Sequence, residues 1–412
     1  MNLGSDPLAS ATAAPRHPAR LPQGLPLRLL RRVLAQLACG ELTLVLPDGT
    51  RLLAQGRQSG PQAQLVLHRW RPLWRLLAQG DLGLARAWRD GDWSTPDLVA
   101  LLRFGAANDG QAGGALQGRG WSRWLGRLAH ARRANTRRGS RDNIAFHYDL
   151  GNAFYAQWLD PSMLYSSALY THADDTLEQA QAARLERILA LVDAPPGAQV
   201  LEIGCGWGAL ALALAGRHGA QVTGLTLSTE QLAFARERGV RAGLDSRLDL
   251  RLQDYRDVQG RYERIVSIEM VEAVGEAYWP TYFATLRERL APGGHVVLQA
   301  ITIADAHFEG YRRGADFIQR HIFPGGMLPS PTVLREQAAR AGLQLQTELL
   351  FGDSYAATLA EWRRRFLAAW PAIAAQGFDL PFKRLWEYYL SYCEAGFRSG
   401  RVDVGLYTLR PM

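Results

Sequence analysis

The sequence predicts an α/β protein in which a small α+β domain precedes an open, doubly wound, mostly parallel sheet. Three observations support this fold class. From about residue 195 onward, short apolar runs alternate with helical segments. The alternation begins with a strand, a glycine-rich turn and a helix. The chain has 412 residues, too many for one ordinary core, and its 47% hydrophobic and 21% charged residues are typical of globular proteins.

Cysteine and hydrophobic content exclude several classes of protein. Cys39, Cys205 and Cys393 are too few and too scattered for a disulfide framework or a zinc cluster. We therefore expect a reducing, cytoplasmic compartment and no metal site. No stretch reaches the ~18 apolar residues of a membrane-spanning helix, and the N-terminus lacks the apolar core of a signal peptide. The sequence predicts a protein that is soluble or lies on a membrane surface.

Positive charge is concentrated in the first third of the chain. Residues 1–140 contain 20 arginines and 8 acidic residues, whereas the remainder contains 27 basic and 31 acidic residues. Such asymmetry favours a partner with a negative surface, either nucleic acid or anionic lipid. Because no nucleic-acid-binding module is recognisable, we expect no nucleic-acid partner and a peripheral association with an anionic membrane surface.

Composition and pattern divide the chain into four segments. They are a disordered leader, a lipid- or membrane-associating α+β domain, a linker followed by a basic amphipathic helix, and the α/β domain, at residues 1–23, 24–105, 106–141 and 142–412 respectively. Helical, aromatic-rich insertions interrupt the last segment at 302–340 and 353–400.

The basic helix has two interpretations. Residues 119–141 hold eight arginines, and Trp121 and Trp124 fall on one helical face. This pattern is typical of an interfacial membrane segment, with the rings at the level of the head groups and the guanidiniums on the phosphates. It is equally typical of a helix that packs its tryptophan face on its own domain, so both interpretations stay open.

Strands and helices alternate regularly within the α/β domain. The predicted strands are AQVLEIGC, AQVTGLTLS, LDLRLQDY, ERIVSIEMV and GHVVLQAITI. The predicted helices are ALALALAGRHG, STEQLAFARERGVRAG and YWPTYFATLRERLAPGG, the second with Ser228 or Thr229 as its N-cap. Strand–helix–strand units place successive strands parallel in one sheet, so the pattern predicts the doubly wound architecture.

A Gly-x-Gly-x-Gly turn follows the first of these strands. Gly204, Gly206 and Gly208 let the backbone turn sharply and approach a ligand closely, and the next helix offers free N–H groups. Folds that bind NAD and folds that bind S-adenosylmethionine (SAM) share this turn, so it indicates a cofactor without identifying it.

Three features of the neighbouring strands favour SAM. Glu202 lies inside the first strand, where it can bind the methionine amino group. The second strand ends without an acidic residue, so the ribose contacts fall to Thr226 and Gln231. The third strand ends at Asp254, which can accept a hydrogen bond from the adenine amine. The sequence therefore predicts a SAM site.

Separated strings over most of the chain resemble one enzyme family. From about Asn143 to the C-terminus they are NIAFHYDLGNAFYAQWLDPSMLYSSALY, LEIGCGWG, GLTLSTEQ, LQDYRD, VEAVG, HIFPGGMLPS, WRRRFLAAW and YYLSYCEAGFRSG. In this order they resemble the cyclopropane-fatty-acyl-phospholipid synthase family, which includes the mycolic acid cyclopropane synthases. The resemblance implies a class I SAM-methyltransferase fold with a Rossmann-like sheet. The N-terminal domain resembles, more loosely, the extra lipid-binding domain of the bacterial synthases, and the resemblance implies that the insertions at 302–340 and 353–400 line an acyl channel.

The resemblance also implies where the cofactor binds and what the enzyme does. The cofactor site comprises the segment that closes over SAM and the ends of the first three strands: Tyr165, Ser166, Glu202, Gly204, Gly206, Gly208, Thr226, Gln231, Asp254 and Tyr255. In the family a cis double bond attacks the SAM methyl group, and the resulting carbocation loses a proton from that methyl to close a three-membered ring. Tyrosines suit a pocket that must hold both an apolar chain and a cation.

In the family a bound bicarbonate ion acts as the base, and this chain matches its binding set in part. Glu272 and Tyr355 match the family glutamate and tyrosine, and Ile301 aligns with the residue that gives a backbone contact. The cysteine position, however, is Ser167, and the histidine position is Gln299. These replacements leave neutral hydrogen-bonding groups, so the resemblance leaves bicarbonate binding open.

An additional carboxylate bears on the same chemistry. Glu269 stands three residues before Glu272, and if it points into the pocket it can serve as the base or stabilise the cation itself. A residue that faces solvent fits the pattern equally well.

Cys393 matches the C-terminal cysteine of the family near the active site, without a role as nucleophile. A small, buried, apolar residue is its simpler interpretation.

The leading expectation is an enzyme that transfers the methyl(ene) group of SAM to the cis double bond of an unsaturated acyl chain in a phospholipid, with a cyclopropane ring as the product. A cation whose methyl proton is not taken at once can instead undergo a hydride shift before a proton is lost and give a methylene branch, which a partner oxidoreductase would reduce. A methyltransferase for a small soluble substrate and a lipid- or nucleic-acid-binding protein with a relic SAM fold are the alternatives. Whether the protein forms a homodimer is left open.

Overall fold

The computed structural model of the protein describes residues 34–109, 150–314 and 316–412, together with Leu30 and Gly139. The predicted leader lies outside these residues, as do most of the linker and nearly all of the basic amphipathic helix. The predictions for those segments therefore stay predictions.

Within residues 39–107, the structure describes a four-stranded sheet and three helices. Its strands are β1 (Cys39–Val45), β2 (Arg51–Gln55), β3 (Gln58–Leu67) and β4 (Trp93–Ser94), in the order β2-β1-β3-β4. The helices are α1 (Arg71–Gln79), α2 (Asp81–Arg89) and α3 (Leu98–Ala107). β1 and β2 pair antiparallel around the predicted turn, where Gly49 has a φ of 85°. Every second residue of β1 is buried, which gives this sheet one apolar face.

A seven-stranded sheet forms the centre of the larger domain. Its strands are β5 (Gln199–Ile203), β6 (Gln221–Thr226), β7 (Leu248–Leu252), β8 (Tyr262–Ile268), β9 (Leu290–Ile303), β10 (Leu343–Leu350) and β11 (Val402–Pro411). Their order is β10-β11-β9-β8-β5-β6-β7, with β5 to β9 parallel and β11 antiparallel to both of its neighbours. The predicted fold class is confirmed. The strand order reverses between β5 and β8, which is where open α/β sheets bind their ligands.

Helices cover both faces of this sheet and form the insertions. They are α4 (Asn152–Tyr155), α5 (Leu177–Val192), α6 (Ala209–Arg217), α7 (Thr229–Arg241), α8 (Val271–Val274), α9 (Trp279–Arg289), α10 (Asp305–Arg312), α11 (Phe317–His321), α12 (Pro331–Arg340), α13 (Gly352–Ala368), α14 (Trp370–Ala374) and α15 (Leu380–Arg398). Short 3-10 turns lie at Asp245–Arg247, Tyr255–Asp257 and Glu276–Tyr278. Ser228 is the N-cap of α7, because its side chain accepts from the Gln231 N–H at 3.3 Å.

The two domains meet along α15 and the start of β11. The Trp88 indole N–H donates to the Arg384 carbonyl at 2.9 Å, and Arg401 pairs with Asp109 at 2.7 Å. These contacts join the small domain to the helical insertions beside the active site. Within the described ranges, no helix is both long enough and apolar enough to cross a membrane.

Candidate active site

A cavity of about 1100 Å³ extends from the small domain to the glycine turn. Leucines such as Leu44 and Leu65 line its first part, and Tyr165, Glu202 and Gly204 line the part beside the seven-stranded sheet. A cavity with mostly apolar walls and a few converging polar groups is typical of a small-molecule or lipid site. Its length across two domains suits a long apolar ligand.

The glycine turn requires its glycines for two different reasons. Gly204 and Gly208 both have a φ of 84°. A Cβ on Gly204 would lie 2.5 Å from the Met270 sulfur, and one on Gly208 would lie 2.8 Å from the Ala235 Cβ. A Cβ on Gly206, by contrast, would meet no protein atom within 4 Å. The turn is therefore packed from behind at Gly204 and Gly208 and leaves space at Gly206 for a ligand to approach the backbone.

Glu202 presents an unsatisfied carboxylate oxygen at the cavity wall. The residue is 3% exposed, and its Oε2 has no hydrogen-bond partner among the described residues. Burial raises the pKa of this carboxyl to about 8, and the nearby Arg184 guanidinium opposes the shift. A buried oxygen without a donor costs free energy. The arrangement therefore fits a site that is completed by an ammonium group such as that of SAM.

Of the residues predicted to hold the ribose and the adenine, three line the cavity and one lies behind its wall. Thr226 Oγ1 donates to Gln231 Oε1 at 2.9 Å, and both residues line the cavity. Asp254 is buried but does not line the cavity, because it accepts two bonds from the Arg256 guanidinium, at 2.8 and 2.6 Å. Tyr255, the next residue, lines the cavity. The structure therefore brings Tyr255 to the wall and leaves Asp254 behind it.

The segment predicted to close over the cofactor also lines the cavity. The Tyr165 hydroxyl lies 2.8 Å from the Tyr389 hydroxyl, and its ring packs against Trp362 with 5.3 Å between centroids. Ser166 is 6% exposed, and its carbonyl accepts from the Gln181 side-chain amide at 2.9 Å. These bonds fix both residues against the cavity next to the glycine turn.

Glu269 is the centre of a partly buried hydrogen-bond cluster at the cavity wall. Its Oε1 accepts from the Ser167 N–H at 2.9 Å and from the Gln299 amide at 2.7 Å, and its Oε2 accepts from the Tyr355 hydroxyl at 2.8 Å. Glu269 and Tyr355 line the cavity, whereas Ser167 and Gln299 lie behind them. Glu269 follows β8 with a φ of 51°, a conformation that is uncommon outside glycine. That backbone conformation points the side chain into the cluster.

The two glutamates of the cluster differ in their surroundings. Burial raises the pKa of Glu269, while the bonds from Ser167 and Tyr355 oppose that shift. Burial also raises the pKa of Glu272, to about 8, and the neighbouring Glu269 adds to the shift. Glu272 Oε1 accepts from the Ile301 N–H, and its Oε2 has no partner among the described residues. Within the described part of the chain, three donors therefore stabilise a negative charge on Glu269, whereas one donor contacts Glu272.

Arg184 is a site residue that sequence reasoning missed. It is 1% exposed, lies on α5 and lines the cavity. Its Nε donates to Gln181 Oε1 at 3.2 Å, and its Nη1 lies 3.5 Å from Gln299 Oε1. Burial lowers the pKa of Arg184 and the Glu269 carboxylate opposes that change, so the two charges compensate each other. Arginine is the common basic residue throughout this sequence, so Arg184 carried no distinguishing signal.

Cys393 lines the cavity from α15 and does not carry a reactive thiolate. Burial and the Asp316 carboxylate raise the pKa of its thiol far above the ordinary range. A thiol is a poor nucleophile when it stays protonated. This agrees with the interpretation of Cys393 as a packing residue beside the active site.

Comparison with known proteins identifies the family of the chain. The sequence profile of the family described as mycolic acid cyclopropane synthetase matches residues 135–406. The chain is 39% identical over 417 residues to the tuberculostearic acid methyltransferase UfaA1 of Mycobacterium tuberculosis (strain ATCC 25618 / H37Rv), an alignment that covers 98% of this chain and 92% of the relative. It is 38% identical over 338 residues to the cyclopropane-fatty-acyl-phospholipid synthase of Escherichia coli (strain K12), covering 80% and 83% respectively.

Solved structures give the same assignment for the larger domain. The cyclopropane synthase MmaA2 from Mycobacterium tuberculosis superimposes with a TM-score of 0.61 at 30% identity and covers 65% of this chain and 97% of its own. The mycolic acid cyclopropane synthase CmaA1, complexed with SAH and CTAB, gives a TM-score of 0.59 at 29% identity with the same coverage. The protein therefore belongs to the cyclopropane synthase family of SAM-dependent methyltransferases.

Proposed function

We propose that this enzyme transfers the methyl(ene) group of SAM to a cis double bond of an unsaturated acyl chain in a phospholipid. The observation that supports this most directly is that one leucine-lined cavity joins the glycine turn to the Glu269 cluster. A cavity of this volume and lining suits an acyl chain better than a small polar acceptor. The relative from Escherichia coli is named for action on a fatty-acyl phospholipid.

The residues around the glycine turn would hold the cofactor. Glu202 would accept from the amino group, the Thr226–Gln231 pair would bind the ribose hydroxyls, and Tyr165 and Ser166 would cover the methionine part. When bound, SAM supplies an electrophilic methyl group that the double bond can take. The protein's own contribution is to place the double bond on that methyl and to exclude water from the site.

We assign Glu269 as the base. Methyl transfer leaves a positive charge on the acyl chain, and a buried carboxylate beside that chain stabilises the charge and then accepts the proton. Burial raises the pKa of Glu269 above that of an ordinary glutamate, which makes it a better proton acceptor. Tyr355 and Gln299 hold the carboxylate in place by hydrogen bonds of 2.8 and 2.7 Å.

A separate bicarbonate ion does not fit these donors. Ser167, Gln299 and Tyr355 occupy positions that the family resemblance assigns to bicarbonate binding, and all three donate to Glu269. The backbone N–H of Ile301 donates to Glu272. The chain thus supplies its own carboxylate at the place where the family resemblance implies a bound ion, and no step of the proposed reaction passes through bicarbonate.

The product depends on whether Glu269 takes a proton from the new methyl group before or after a hydride shift along the acyl chain. Removal of a proton from the new methyl group closes a cyclopropane ring, the outcome that the names of the Escherichia coli enzyme and of MmaA2 support. A methylene branch is the second candidate, and one observation favours it: the relative that aligns over 98% of this chain is named a methyltransferase of tuberculostearic acid. This second route requires a partner oxidoreductase if the chain is to end saturated.

Proton NMR of the product distinguishes these outcomes. The protein is incubated with SAM and phospholipid vesicles that carry cis-monounsaturated chains, with fully saturated phospholipid as the control. Upfield ring protons establish the cyclopropane product, and vinylidene protons establish the methylene branch. Because both products have the same mass, mass spectrometry alone does not separate them. Absence of either product would contradict the proposed function.

We further propose that the enzyme works in the cytoplasm as a peripheral membrane protein. Its lipid substrate resides in a bilayer, and its first 140 residues carry the excess of arginine that an anionic surface attracts. Co-sedimentation with vesicles tests this proposal. We expect binding that increases with the fraction of anionic lipid and decreases with salt, whereas binding indifferent to both would contradict it.

A further inference from the structure

The cavity carries a second set of charged side chains where the two domains meet. The small domain contributes Asp81 and Arg86 from α2, and the larger domain contributes Asp316 and Arg320 from the N-cap and body of α11. All four residues line the cavity. The mechanism proposed above uses none of them, yet charges in a largely apolar cavity are costly unless a partner neutralises them. The set is therefore a candidate binding site for a charged ligand.

The two guanidiniums of this set lack a carboxylate in contact. Among the described residues, neither Arg86 nor Arg320 has an acidic oxygen within the 4.0 Å limit of an ion pair. Arg86 donates to the Gln79 side chain at 2.9 Å, and the Nε of Arg320 is buried without a hydrogen-bond partner. Burial and the nearby Arg86 both lower the pKa of Arg320. Two unpaired guanidiniums that face one space are suited to a phosphate group.

Two carboxylates lie next to these guanidiniums. Asp81 is accessible from the cavity, and no described cation lies within ion-pair distance of it. Asp316 accepts a bond of 3.4 Å from the Tyr392 hydroxyl. Burial raises the pKa of both carboxyl groups to about 6, and the Asp316 carboxylate adds to the shift of Asp81. An ammonium group placed between Asp81 and Asp316 would compensate both charges.

Helix α15 connects this set to the reaction centre. Tyr389 on α15 lies 2.8 Å from the Tyr165 hydroxyl, and Tyr392, three residues further on, donates to Asp316. Three residues of an α-helix rise about 4.5 Å along its axis. The charged set and the cofactor segment are therefore neighbours along one helix, joined by the same cavity. A ligand with a polar end and a reactive double bond further along an apolar chain matches this layout.

We propose that Arg86 and Arg320 bind the phosphate of the phospholipid substrate and that Asp81 and Asp316 receive the ammonium of an ethanolamine head group. This inference rests on the proposed function and specifies its substrate as an intact zwitterionic aminophospholipid. The reactive chain runs from the charged set towards Glu269. The leucines of the small domain, among them Leu44 and Leu65, then hold the second acyl chain. The two acyl chains thereby fill both parts of the cavity, the part that leads to Glu269 and the leucine-lined part in the small domain.

The test compares initial rates on vesicles in which only the oleoyl lipid differs. Dioleoyl-phosphatidylethanolamine, dioleoyl-phosphatidylglycerol and methyl oleate, which carries no charged head group, are each presented in the same saturated phosphatidylcholine host. We expect the wild-type enzyme to prefer the ethanolamine lipid and to convert methyl oleate about ten-fold more slowly, because methyl oleate cannot form charge-assisted hydrogen bonds with the head-group site. Arg320→Gln and Arg86→Gln should each raise KM for both phospholipids by about ten-fold and leave the rate on methyl oleate unchanged.

Asp81→Asn tests the carboxylate half of the site, which we propose receives the ammonium group of the lipid. It should abolish the preference for ethanolamine over glycerol head groups while the rate on the glycerol lipid stays the same. A ratio of rates does not depend on the folded fraction of a variant, and SAM calorimetry checks the fold separately. Arg340→Gln and Asp249→Asn, which alter exposed residues on the surface, are the matched controls and should behave like wild type.

The outcomes separate the two proposals. Equal wild-type rates on methyl oleate and on the phospholipids, or an unchanged head-group ratio in Asp81→Asn, would overturn the head-group site and leave the proposed function standing. No product from any of the three lipids would overturn the proposed function itself.

Discussion

Glu269 has a strained backbone conformation that places its carboxylate in the hydrogen-bond cluster. A non-glycine residue in the left-handed region costs about 1–2 kcal/mol, and here the φ is 51°. Three hydrogen bonds to the carboxylate and the nearby Arg184 charge offset that cost. Strain of this kind concentrates at functional sites, which agrees with the assignment of Glu269 as the base.

Glu269→Gln tests that assignment because it keeps the shape of the side chain and removes the proton acceptor. We expect kcat to fall by about 10²- to 10⁴-fold, the usual contribution of a general base. The affinity for SAM in calorimetry should not change, since Glu269 is assigned no contact with the cofactor. Glu336→Gln on the exposed face of α12 is the control. A Glu269→Gln variant with nearly wild-type kcat would remove Glu269 from the chemistry.

Glu202 gives a second prediction at the scale of the residue. Glu202→Gln removes the negative charge that we expect to meet the ammonium group of SAM. The dissociation constant for SAM should rise by about ten-fold, while kcat at saturating SAM stays within about two-fold. Isothermal titration measures the first quantity and steady-state kinetics the second, with Glu237→Gln on the surface as the control. Unchanged SAM affinity would mean that Glu202 does not bind the cofactor.

Residue identities were predictable where the chemistry is local in the sequence. Glu202 and the glycine turn stand together on one strand and its end, so their pattern alone indicates a cofactor. The direction of the Glu269 side chain was left open, because it depends on an unusual φ that the neighbouring residues do not indicate. Arg184 was missed because its burial results from packing against β9, far away in the chain. Asp254 was assigned to the adenine, and Arg256 holds it behind the cavity wall.

The strand–turn–helix element around Gly204 makes a prediction of its own. In Gly204→Ala the new Cβ would combine a φ of 84° with an approach of 2.5 Å to the Met270 sulfur. We expect a loss of about 2–4 kcal/mol in the free energy of unfolding and weaker SAM binding, measured by urea unfolding and calorimetry. Gly243→Ala is the matched control, because its φ is 67° and its Cβ would meet nothing within 4 Å. The control should lose only about 1 kcal/mol, and equal losses in the two variants would contradict the packing argument.

Elements with a strong local pattern were predicted well. The alternating runs from AQVLEIGC to GHVVLQAITI indicate the parallel strands β5 to β9, and these strands are present. The pairing of β11 between β9 and β10 did not follow from the pattern, because antiparallel insertion of the last strand depends on contacts between distant segments. The helical insertions were predicted from the sequence, but the cavity wall that they form together with the small domain was not.

Across the whole molecule, buried carboxyl groups make the stability depend on pH. Glu202 and Glu272 have pKa values raised from an ordinary 4.5 to about 8 in the folded protein. Because the folded state binds these protons more tightly, their contribution to stability is complete below pH 4.5 and is lost as the pH rises through 8. We expect the Tm of the SAM-free protein to fall across this interval.

Calorimetric melting at several pH values measures this dependence. The double variant Glu202→Gln, Glu272→Gln should show a flatter curve between pH 4.5 and 8 than wild type. Saturating SAM should also flatten the curve, because its ammonium group would compensate the charge of Glu202. A wild-type Tm that stays constant or rises over this interval would contradict the assignment of raised pKa values.

The cavity that joins the two domains is a property of the whole molecule that the sequence did not reveal. Asp81 and Arg320 lie more than two hundred positions apart, and only the folded chain brings them to one wall. Composition identified a basic first third and the resemblance identified a lipid enzyme, but neither located where a head group would bind.

The most direct test of the account measures product formation in the presence and absence of bicarbonate. The enzyme, SAM and vesicles with cis-monounsaturated phospholipid are combined in buffer freed of carbon dioxide, and the rate is compared with that after bicarbonate is added. Because Glu269 occupies the donors that would bind the ion, we predict methylated product at the same rate in both samples. Product that forms only with bicarbonate, or no product in either sample, would contradict the account.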